Sequence, residues 1–335
     1  MRVLGIESSC DECAAAVIED GRTIRAEVVA SQAALHARYG GVVPEVASRQ
    51  HLRTIVPVVE ETVAAAGGWE TIDAIAVTYG PGLAGSLLVG LNAGKAYALA
   101  KGLPFLGVNH LEGHVYANWL HVNDETRPEP EFPAVALVVS GGHTDLVWLD
   151  GHGRYRRLGR TLDDAAGEAF DKVARLLGLG YPGGPVIERV AREADASVTL
   201  PRAWLKGTYD FSFSGLKTAV LHLTRERSAP PAPEVARGFQ ESVVEVLALK
   251  TAEAADRLGA RQILLAGGVA SNGALRRELA RVATVPLRVP PVRWCTDNGA
   301  MIAAAGAVRL ERGERSALDL DVEPSLKLAS GPSAR

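Results

Sequence analysis

Residues 3–18 read VLGIESSCDECAAAVI, and residues 134–148 read AVALVVSGGHTDLVW. Each stretch has an apolar run, a short turn of small and polar residues, and a second apolar run, which predicts a strand–turn–strand hairpin. Such a turn presents several backbone N–H groups to an anion and leaves room for a phosphate to approach closely. Two such hairpins predict a duplicated α/β fold of two domains, with a ligand bound between the halves.

A third turn strengthens this interpretation. The apolar run at 262–266 predicts a strand, and Gly267-Gly268 follows it directly. Two phosphate loops and a glycine pair that could lie against an adenosine are the arrangement of the actin-like nucleotide-binding fold. The chain has no G-x-x-x-x-G-K-[ST] motif, which excludes a P-loop nucleotide site.

Length and composition agree with two packed domains, since the 335 residues are 47% hydrophobic. We expect a first domain over 1–124, completed by a C-terminal helix at about 297–325, and a second domain over 134–296. The proline-rich stretch 125–133 (ETRPEPEFP) is the expected linker.

The charge balance limits the partners that the chain can bind alone. The formal net charge is −3, so a nucleic acid must be held by a local patch or by other subunits. Neither a signal peptide nor an apolar run of ~20 residues is evident, and we therefore expect a cytoplasmic protein that does not enter a membrane. The tail after Leu328 is expected to be disordered.

Two histidines four residues apart, His110 and His114, are the strongest local signal for chemistry. On a helix they share one face and could bind a single metal ion; a merely polar helix face is the equal alternative. The zinc-protease motif H-E-x-x-H has its glutamate directly after the first histidine. Here Glu112 comes one place later, about 200° around the helix from His110. His121 is expected near the same face, but about 10 Å further along the helix and too far to share that metal.

Cys10 and Cys13 form a C-x-x-C within the first turn. No second cysteine pair or neighbouring histidine supports a zinc knuckle. They are interpreted as small turn residues, with a redox pair as the alternative.

Motifs along most of the chain resemble one known family. They occur in the order IESSCDE, GPGLAGSL, NHLEGH, VSGGHT, GEAFDK, YPGGP, FSFSGLKTAV, LLAGGVASN and CTDNGAM. Together they resemble the universal tRNA adenosine threonylcarbamoyltransferases, whose bacterial members were once described as O-sialoglycoprotein endopeptidases. The resemblance spans about residues 1–325. It implies transfer of a threonylcarbamoyl group from threonylcarbamoyl-AMP to N6 of adenosine 37, in tRNAs that read codons beginning with A.

The resemblance also implies one divalent metal per subunit, with Fe²⁺ expected and Zn²⁺ as the alternative. Its ligands would be His110, His114 and Asp297, a set that leaves coordination positions open for substrate. The alternative for Asp297 is an N-cap on a helix that starts at Asn298. Val138 stands where the archaeal and eukaryotic branch has a metal-binding tyrosine, so a fourth ligand would be water or substrate.

The nucleotide contacts implied by the resemblance lie mostly in the second half. The phosphate and carbamoyl part of ATP or the adenylate would be bound by Val138, Val139, Ser140, Gly141 and Gly142. Asp171 would bind the ribose, with Gly184 and Glu188 beside it. Asn272 would contact the adenine. The first phosphate loop would be formed by Ser8, Ser9, Asp11 and Glu12. For Asp171 and Glu188 the alternative is a solvated helix face. Lys95 and Lys172 could pair with phosphates or be ordinary surface lysines.

The reaction itself makes demands that the sequence meets only in part. N6 of adenosine is a poor nucleophile, so the carbonyl must be activated, as it is in a mixed anhydride, and the oxyanion must be stabilised, for example by a metal. The sequence does not identify a general base. Asp11 and Glu12 are candidates by location only.

Family resemblance further implies partner proteins. These are a separate YrdC-like synthase that makes the adenylate, a shorter and degenerate actin-like paralogue, and a small P-loop ATPase. Helices within 31–66 and 86–101 are expected to pack against the paralogue. A glycoprotein metalloprotease, an actin-like ATPase or kinase, and a non-catalytic scaffold of the same fold are the competing hypotheses.

Overall fold

The computed structural model describes residues 1–122, 128–226 and 228–328, and the chain forms two units. The first unit is Met1–Pro130 with Thr296–Leu328, and the second is Glu131–Cys295. The division after Pro130 falls within the stretch 125–133 that we expected to be a linker; residues 125–127 of that stretch lie outside the described residues. The tail after Leu328, expected to be disordered, also lies outside them.

The first unit is built on a six-stranded sheet with the strand order β5-β4-β1-β2-β3-β6. Its strands are β1 (Arg2–Glu7), β2 (Glu12–Glu19), β3 (Thr23–Ser31), β4 (Ala74–Gly80), β5 (Phe105–Asn109) and β6 (His121–Val122). Strands β1 and β2 are antiparallel, with Gly5 opposite Ala16. This is the first predicted hairpin. Strand β4 pairs with β1 in parallel on the other side.

The second unit repeats this arrangement in a five-stranded sheet of order β11-β10-β7-β8-β9. Its strands are β7 (Ala134–Val139), β8 (Thr144–Gly151), β9 (Arg154–Arg160), β10 (Gln262–Ala266) and β11 (Leu287–Arg288). The antiparallel pair β7–β8 is the second predicted hairpin, and β10 pairs with β7 in parallel. The order β10-β7-β8-β9 thus matches β4-β1-β2-β3, which confirms the predicted duplication.

Helices cover the sheets. They are α1 (Ala33–Ala37), α2 (Pro44–Ala65), α3 (Ala84–Lys101), α4 (His110–Tyr116), α5 (Ala166–Leu176), α6 (Gly183–Ala191), α7 (Ser214–Thr224), α8 (Ala232–Leu258), α9 (Gly273–Val282) and α10 (Gly299–Glu311). Helix α10 packs so closely on β1 that a Cβ atom on Gly5 would lie 2.2 Å from the carbonyl oxygen of Gly299. A side chain at Gly5 would push the helix away from the sheet. In the described part of the chain, no helix has the length and apolar character needed to cross a bilayer.

Two segments differ from the sequence-based expectation. The region from residue 31 was expected to be helical, but β3 extends to Ser31 and α1 begins only at Ala33. No strand was predicted directly after the second hairpin, but Arg154–Arg160 forms the edge strand β9, and α5 begins at Ala166. Arginine is a good helix former, so local preference favours a helix at this edge strand, and pairing with β8 overrides that preference.

Candidate active site

The two histidines lie on α4, which begins directly after strand β5. The side-chain oxygen of Asn109 accepts hydrogen bonds from the N–H groups of Leu111 (2.8 Å) and Glu112 (3.3 Å). Asn109 is therefore the N-cap of α4, and it accepts hydrogen bonds from N–H groups of the first turn that have no partner within the helix. The imidazole rings of His110 and His114 meet edge to face with their centroids 4.6 Å apart, as the i,i+4 spacing predicts.

Asp297 reaches the histidine pair from the segment before α10. Its Oδ1 atom lies 3.6 Å from Nε2 of His110 and 3.2 Å from Nε2 of His114. Gly113 permits this approach, because a Cβ atom there would lie 2.6 Å from the Cδ1 atom of Ile302 on α10. A larger residue would require the end of the Ile302 side chain to move.

The alternative role of Asp297 as a helix N-cap is wrong. Helix α10 is capped by the next residue, Asn298, whose side-chain oxygen accepts a hydrogen bond of 2.9 Å from the N–H of Met301. The Asp297 carboxylate can therefore be directed at the imidazoles. Ligand atoms of Asp297, His110 and His114 lie within 4.8 Å of one another.

The surroundings of His114 test whether this cluster suits a metal. The side chain is fully buried, and within the described residues neither ring nitrogen has a hydrogen-bond partner. Nε2 is close to Asp297, but the geometry is not that of a hydrogen bond between them. Leaving a buried polar atom unsatisfied costs about 1–3 kcal/mol, and a cation bound by all three side chains would remove that cost at the His114 nitrogen that it binds. Two imidazoles and one carboxylate suit Fe²⁺, and they also suit Zn²⁺ with an open position.

Glu7, at the end of β1, was missed by the sequence analysis. It is fully buried, and its Oε2 atom lies 2.9 Å from Nδ1 of His110. The hydroxyl of Thr78 donates to the same oxygen at 2.6 Å, and the N–H of Ser9 donates to Oε1. An acidic residue at the end of the apolar run VLGIE was the available signal.

The carboxylates change the ionisation of His110 in the metal-free protein. Burial opposes a charged imidazole, but the charges of Asp297 and Glu7 outweigh it and raise the pKa of His110 to about 9. Burial likewise opposes ionisation of Glu7, yet the charge of His110 and its hydrogen bond keep the pKa of Glu7 below its usual value. A proton on His110 thus occupies part of the space that a cation would need.

Glu112 and His121 lie outside the cluster. Oε2 of Glu112 lies 3.5 Å from Nη1 of Arg309, so its side chain points away from the metal face as predicted. The zinc-protease arrangement is absent. His121 was expected further along the same helix, which is wrong, because α4 ends at Tyr116 and His121 belongs to β6.

The side chains of the first predicted phosphate loop are mostly turned into the first unit. The Ser8 hydroxyl donates to the carbonyl of Ser86 at 2.9 Å, and the Ser9 hydroxyl lies 3.1 Å from Nδ1 of His110. The Ser31 hydroxyl donates to Glu12 at 3.1 Å. Burial, followed by the charges of Asp297 and Asp11, raises the pKa of Glu12 to about 9, so this carboxyl is protonated at neutral pH in the metal-free protein.

The two turn cysteines are free thiols. Burial raises the pKa of Cys10, and it raises that of Cys13 to about 11. Because the thiolate is the reactive form, these values favour the interpretation as small turn residues over a redox pair.

The second predicted phosphate loop is a tight turn between β7 and β8. The N–H of Ser140 donates to the carbonyl of His143 at 2.8 Å. Gly141 and Gly142 are exposed at its tip, and within the described protein their N–H groups donate to no other group. Val138 and Val139 are fully buried and can offer only backbone atoms.

Two further elements adjoin this turn. Helix α5 begins beside it, since the N–H of Gly167 donates to the carbonyl of Ser140 at 3.2 Å. Gly267 has φ of +90°, and a Cβ atom on it would lie 2.3 Å from the carbonyl oxygen of Val139. The glycine pair after β10 therefore packs directly against the end of β7. A helix N-terminus and free N–H groups together favour an anion.

The remaining residues that were predicted to bind the nucleotide accept hydrogen bonds from N–H groups at the N-termini of helices. Asp171 accepts from the N–H of Gly183 at 2.7 Å at the start of α6, and Glu188 accepts from the N–H of Gly273 at 3.1 Å at the start of α9. The alternative of a solvated helix face is wrong for both. Asn272 caps α9 through the N–H of Leu275 at 3.0 Å and donates to Gln240 at 2.9 Å.

Gly184 and the two lysines complete the set of predicted contacts. Among the described residues, no atom beyond its chain neighbours and the adjacent backbone of α6 lies within 4 Å of a Cβ atom built on Gly184, so its backbone is accessible from that side. Lys95 donates to the carbonyl of Leu320, and Lys172 pairs with Asp164 (2.6 Å) and Glu168 (2.8 Å). Neither lysine is available for a phosphate in this arrangement.

Solved structures of several functions have this fold. The chain is similar to T. kodakarensis HypF with a TM-score of 0.64 and 15% identity, over 93% of this chain and 48% of that one. It is also similar to the ROK hexokinase from Thermus thermophilus, with a TM-score of 0.53 and 16% identity, over 93% of this chain and 99% of that one. At these identities the likeness shows the actin-like fold alone.

Curated relatives are similar over nearly their whole length. A tRNA N6-adenosine threonylcarbamoyltransferase of Symbiobacterium thermophilum is 57% identical, over 98% of this chain and 97% of the relative. Another, from Dehalococcoides mccartyi, is 54% identical over 98% and 100%, and one from Bacillus subtilis is 53% identical over 98% and 96%. The model of the tRNA N6-adenosine threonylcarbamoyltransferase family matches residues 23–304. The chain, whose His–His–Asp cluster lies in a duplicated actin-like fold, therefore belongs to the tRNA N6-adenosine threonylcarbamoyltransferase family.

Proposed function

We propose that this chain transfers the threonylcarbamoyl group of threonylcarbamoyl-AMP to N6 of adenosine 37 in tRNAs that read codons beginning with A, and that it does so in the cytoplasm. The observation that carries the proposal is the identity of 53–57% to curated transferases along almost the entire chain. A metalloprotease has less support, because Glu112 faces Arg309 and cannot act as a base beside the histidines.

His110, His114 and Asp297 are the proposed ligands of one divalent metal, Fe²⁺ in the first place and Zn²⁺ as the alternative. The unsatisfied nitrogens of His114 support this assignment. When bound, such a metal supplies a Lewis acid that can polarise a carbonyl oxygen and help to position the substrate. The role of the three side chains is to bind the ion while leaving coordination positions open.

The turn Ser140–Gly142 is the proposed site for the phosphate and carbamoyl part of the adenylate. The two free N–H groups of Gly141 and Gly142, beside the N-terminus of α5, support it. Donors that are already aimed at an oxygen need no reorganisation when negative charge develops on it. Val138 and Val139 would contribute backbone atoms only, because their side chains are buried.

For the adenosine part, we propose Asp171 at the ribose, with Gly184 and Glu188 beside it, and Asn272 at the adenine. Each of the three side chains also binds the N-terminus of a helix. That second role supports a site in which the ligand-binding groups are held rigidly by the scaffold. Ser8 and Ser9 are the proposed residues of the first phosphate loop, but both hydroxyls, and also the backbone N–H of Ser9, have partners inside the first unit.

Proton transfer from N6 has two candidates, Asp11 and Glu12. Glu12 is protonated in the metal-free protein because burial and two neighbouring carboxylates raise its pKa. A cation beside Asp297 would offset one of those charges and lower the pKa of Glu12 toward the range of a general base.

The partner proteins are proposed from an exposed apolar face on α2 and α3. Leu52 and Val56 lie one turn apart on α2 and are 67% and 53% exposed, and Leu88 and Leu99 on α3 are 41% and 72% exposed. We propose that this face packs against the shorter actin-like paralogue, burying apolar side chains that otherwise contact water. The small P-loop ATPase would join the same assembly, and the YrdC-like synthase would act separately. Since the net charge is −3, tRNA would be bound by the assembly rather than by this chain alone.

Mass spectrometry of tRNA nucleosides tests the function directly. Unmodified tRNA is incubated with threonylcarbamoyl-AMP, the metal-loaded chain, the paralogue and the ATPase, and threonylcarbamoyladenosine is quantified. We expect the modified nucleoside with the wild-type chain and its loss with Asp297→Ala. Absence of product with the wild type, under conditions in which a curated relative forms it, would refute the proposal.

A further inference from the structure

Glu7 is an unusual residue for the interior of the first unit. Its carboxylate is fully buried, and among the described residues no lysine or arginine pairs with it. An ionised carboxylate in such a place costs several kcal/mol unless it is paired and hydrogen-bonded. Its one cationic partner is His110, a member of the proposed metal cluster. A purely structural role would be filled more cheaply by an apolar side chain.

The contacts of Glu7 determine which ring nitrogen of His110 carries a hydrogen. Oε2 lies 2.9 Å from Nδ1 of the imidazole, and a carboxylate can only accept, so Nδ1 carries the hydrogen. The other nitrogen, Nε2, lies 3.6 Å from Asp297 and is left to bind an ion. The Thr78 hydroxyl and the Ser9 N–H, donating to the two carboxylate oxygens, hold Glu7 in this orientation.

We propose that Glu7 is a positioning residue of the metal site, which holds His110 with Nε2 toward the ion and adds a buried negative charge. The proposal rests on the metal ligands proposed above. With neutral imidazoles, the charges of Glu7 and Asp297 balance those of a divalent ion, whereas without Glu7 the loaded site would have an uncompensated charge in a buried environment. Partners of this kind change metal affinity by about 10- to 100-fold.

Glu7→Gln is the most informative variant because it keeps the shape of the side chain. Its amide group can donate to Nδ1 of His110, which would place the hydrogen on Nε2, the nitrogen needed by the ion. We expect the dissociation constant for Co²⁺ or Zn²⁺, measured on the full chain by competition with a chelating dye, to rise by about 10- to 100-fold. The visible absorption spectrum of the Co²⁺ form should also change, which a merely structural role would not require.

Glu112→Gln is the matched control. Glu112 is a second buried carboxylate near the same histidines, and it lies on α4 itself, but its partner is Arg309. We expect unchanged Co²⁺ affinity and an unchanged spectrum. If Glu7→Gln does not fold, Thr78→Val provides a milder test, since it removes only the hydroxyl that orients Glu7 and should weaken Co²⁺ binding several-fold.

The outcomes separate this inference from the proposed function. If the wild type binds no metal, the metal site and the role of Glu7 both fail. If the wild type binds Co²⁺ and Glu7→Gln binds it equally well with the same spectrum, the metal site stands and the role of Glu7 is overturned. Equal weakening by Glu7→Gln and Glu112→Gln would also overturn it, because general destabilisation would then explain the loss.

Discussion

His114→Leu should separate the stability of the first unit from its capacity to bind metal. The side chain of His114 is fully buried, and neither of its ring nitrogens has a hydrogen-bond partner. Each unsatisfied nitrogen costs about 1–3 kcal/mol. Leucine has a similar size and no polar atom, so removing both unsatisfied nitrogens should raise the free energy of unfolding of the metal-free protein by about 2–6 kcal/mol over that of the metal-free wild type. Imperfect packing of the branched side chain would offset part of this gain.

Metal should narrow or reverse that difference in stability. A metal at 100 times its dissociation constant stabilises the wild type by about 2.7 kcal/mol, and the variant, which lacks a ligand, should gain nothing. The assay is denaturant unfolding followed by circular dichroism, with a chelator and then with Co²⁺ or Zn²⁺. A metal-free variant markedly less stable than the wild type would refute the argument that His114 is unsatisfied. A variant stabilised by metal as much as the wild type would refute its role as a ligand.

Three other outcomes are expected. Asp171→Ala and Asn272→Ala should each weaken ATP binding by roughly ten- to a hundred-fold, because each loses a hydrogen bond worth about 1.5–3 kcal/mol. The amount of bound metal, measured by elemental analysis, should stay unchanged. Normal ATP affinity in both variants would mean that the nucleotide site is misplaced. Asp145→Asn should stabilise the protein at pH 7 by up to about 3 kcal/mol and by little at pH 4. The reason is that burial, against the charges of Arg157 and Arg160, raises the pKa of Asp145 from 3.8 to about 6. The native state then binds this proton more tightly than the unfolded chain, so its contribution to the stability of the wild type is complete below about pH 4 and is lost as the pH rises to 6. Urea unfolding at pH 4, 5, 6 and 7 should show the difference in free energy of unfolding between variant and wild type growing with pH. A difference that stays constant with pH would contradict the reasoning. Leu52→Asp should abolish co-elution with the paralogue in size-exclusion chromatography without changing Co²⁺ affinity, and unchanged co-elution would place the interface elsewhere.

Local signals were sufficient to predict the hairpins and the helix that carries the histidine pair. The apolar runs of residues 3–18 and 134–148 form β1–β2 and β7–β8, and the histidine pair lies on α4, which Asn109 caps. Each of these features depends on residues within a few positions of one another. The strands β3 and β9 were missed because neither has a strong local signal. Strand β3 is half-exposed and β9 is rich in arginine, and both are strands through pairing with a neighbour.

The sequence by itself therefore determined the duplicated fold, the histidine pair and, through family resemblance, the expected ligands. Only the tertiary structure decided which groups meet. It brought Glu7 to His110 across 103 positions of the chain, and it made Asn298 rather than Asp297 the cap of α10. It also turned Asp171 and Glu188 from candidate surface residues into partners of helix N-termini. Sequence periodicity specifies the face on which a side chain lies, whereas a contact between distant segments depends on the pairing of strands and the close packing of helices, which no local pattern encodes.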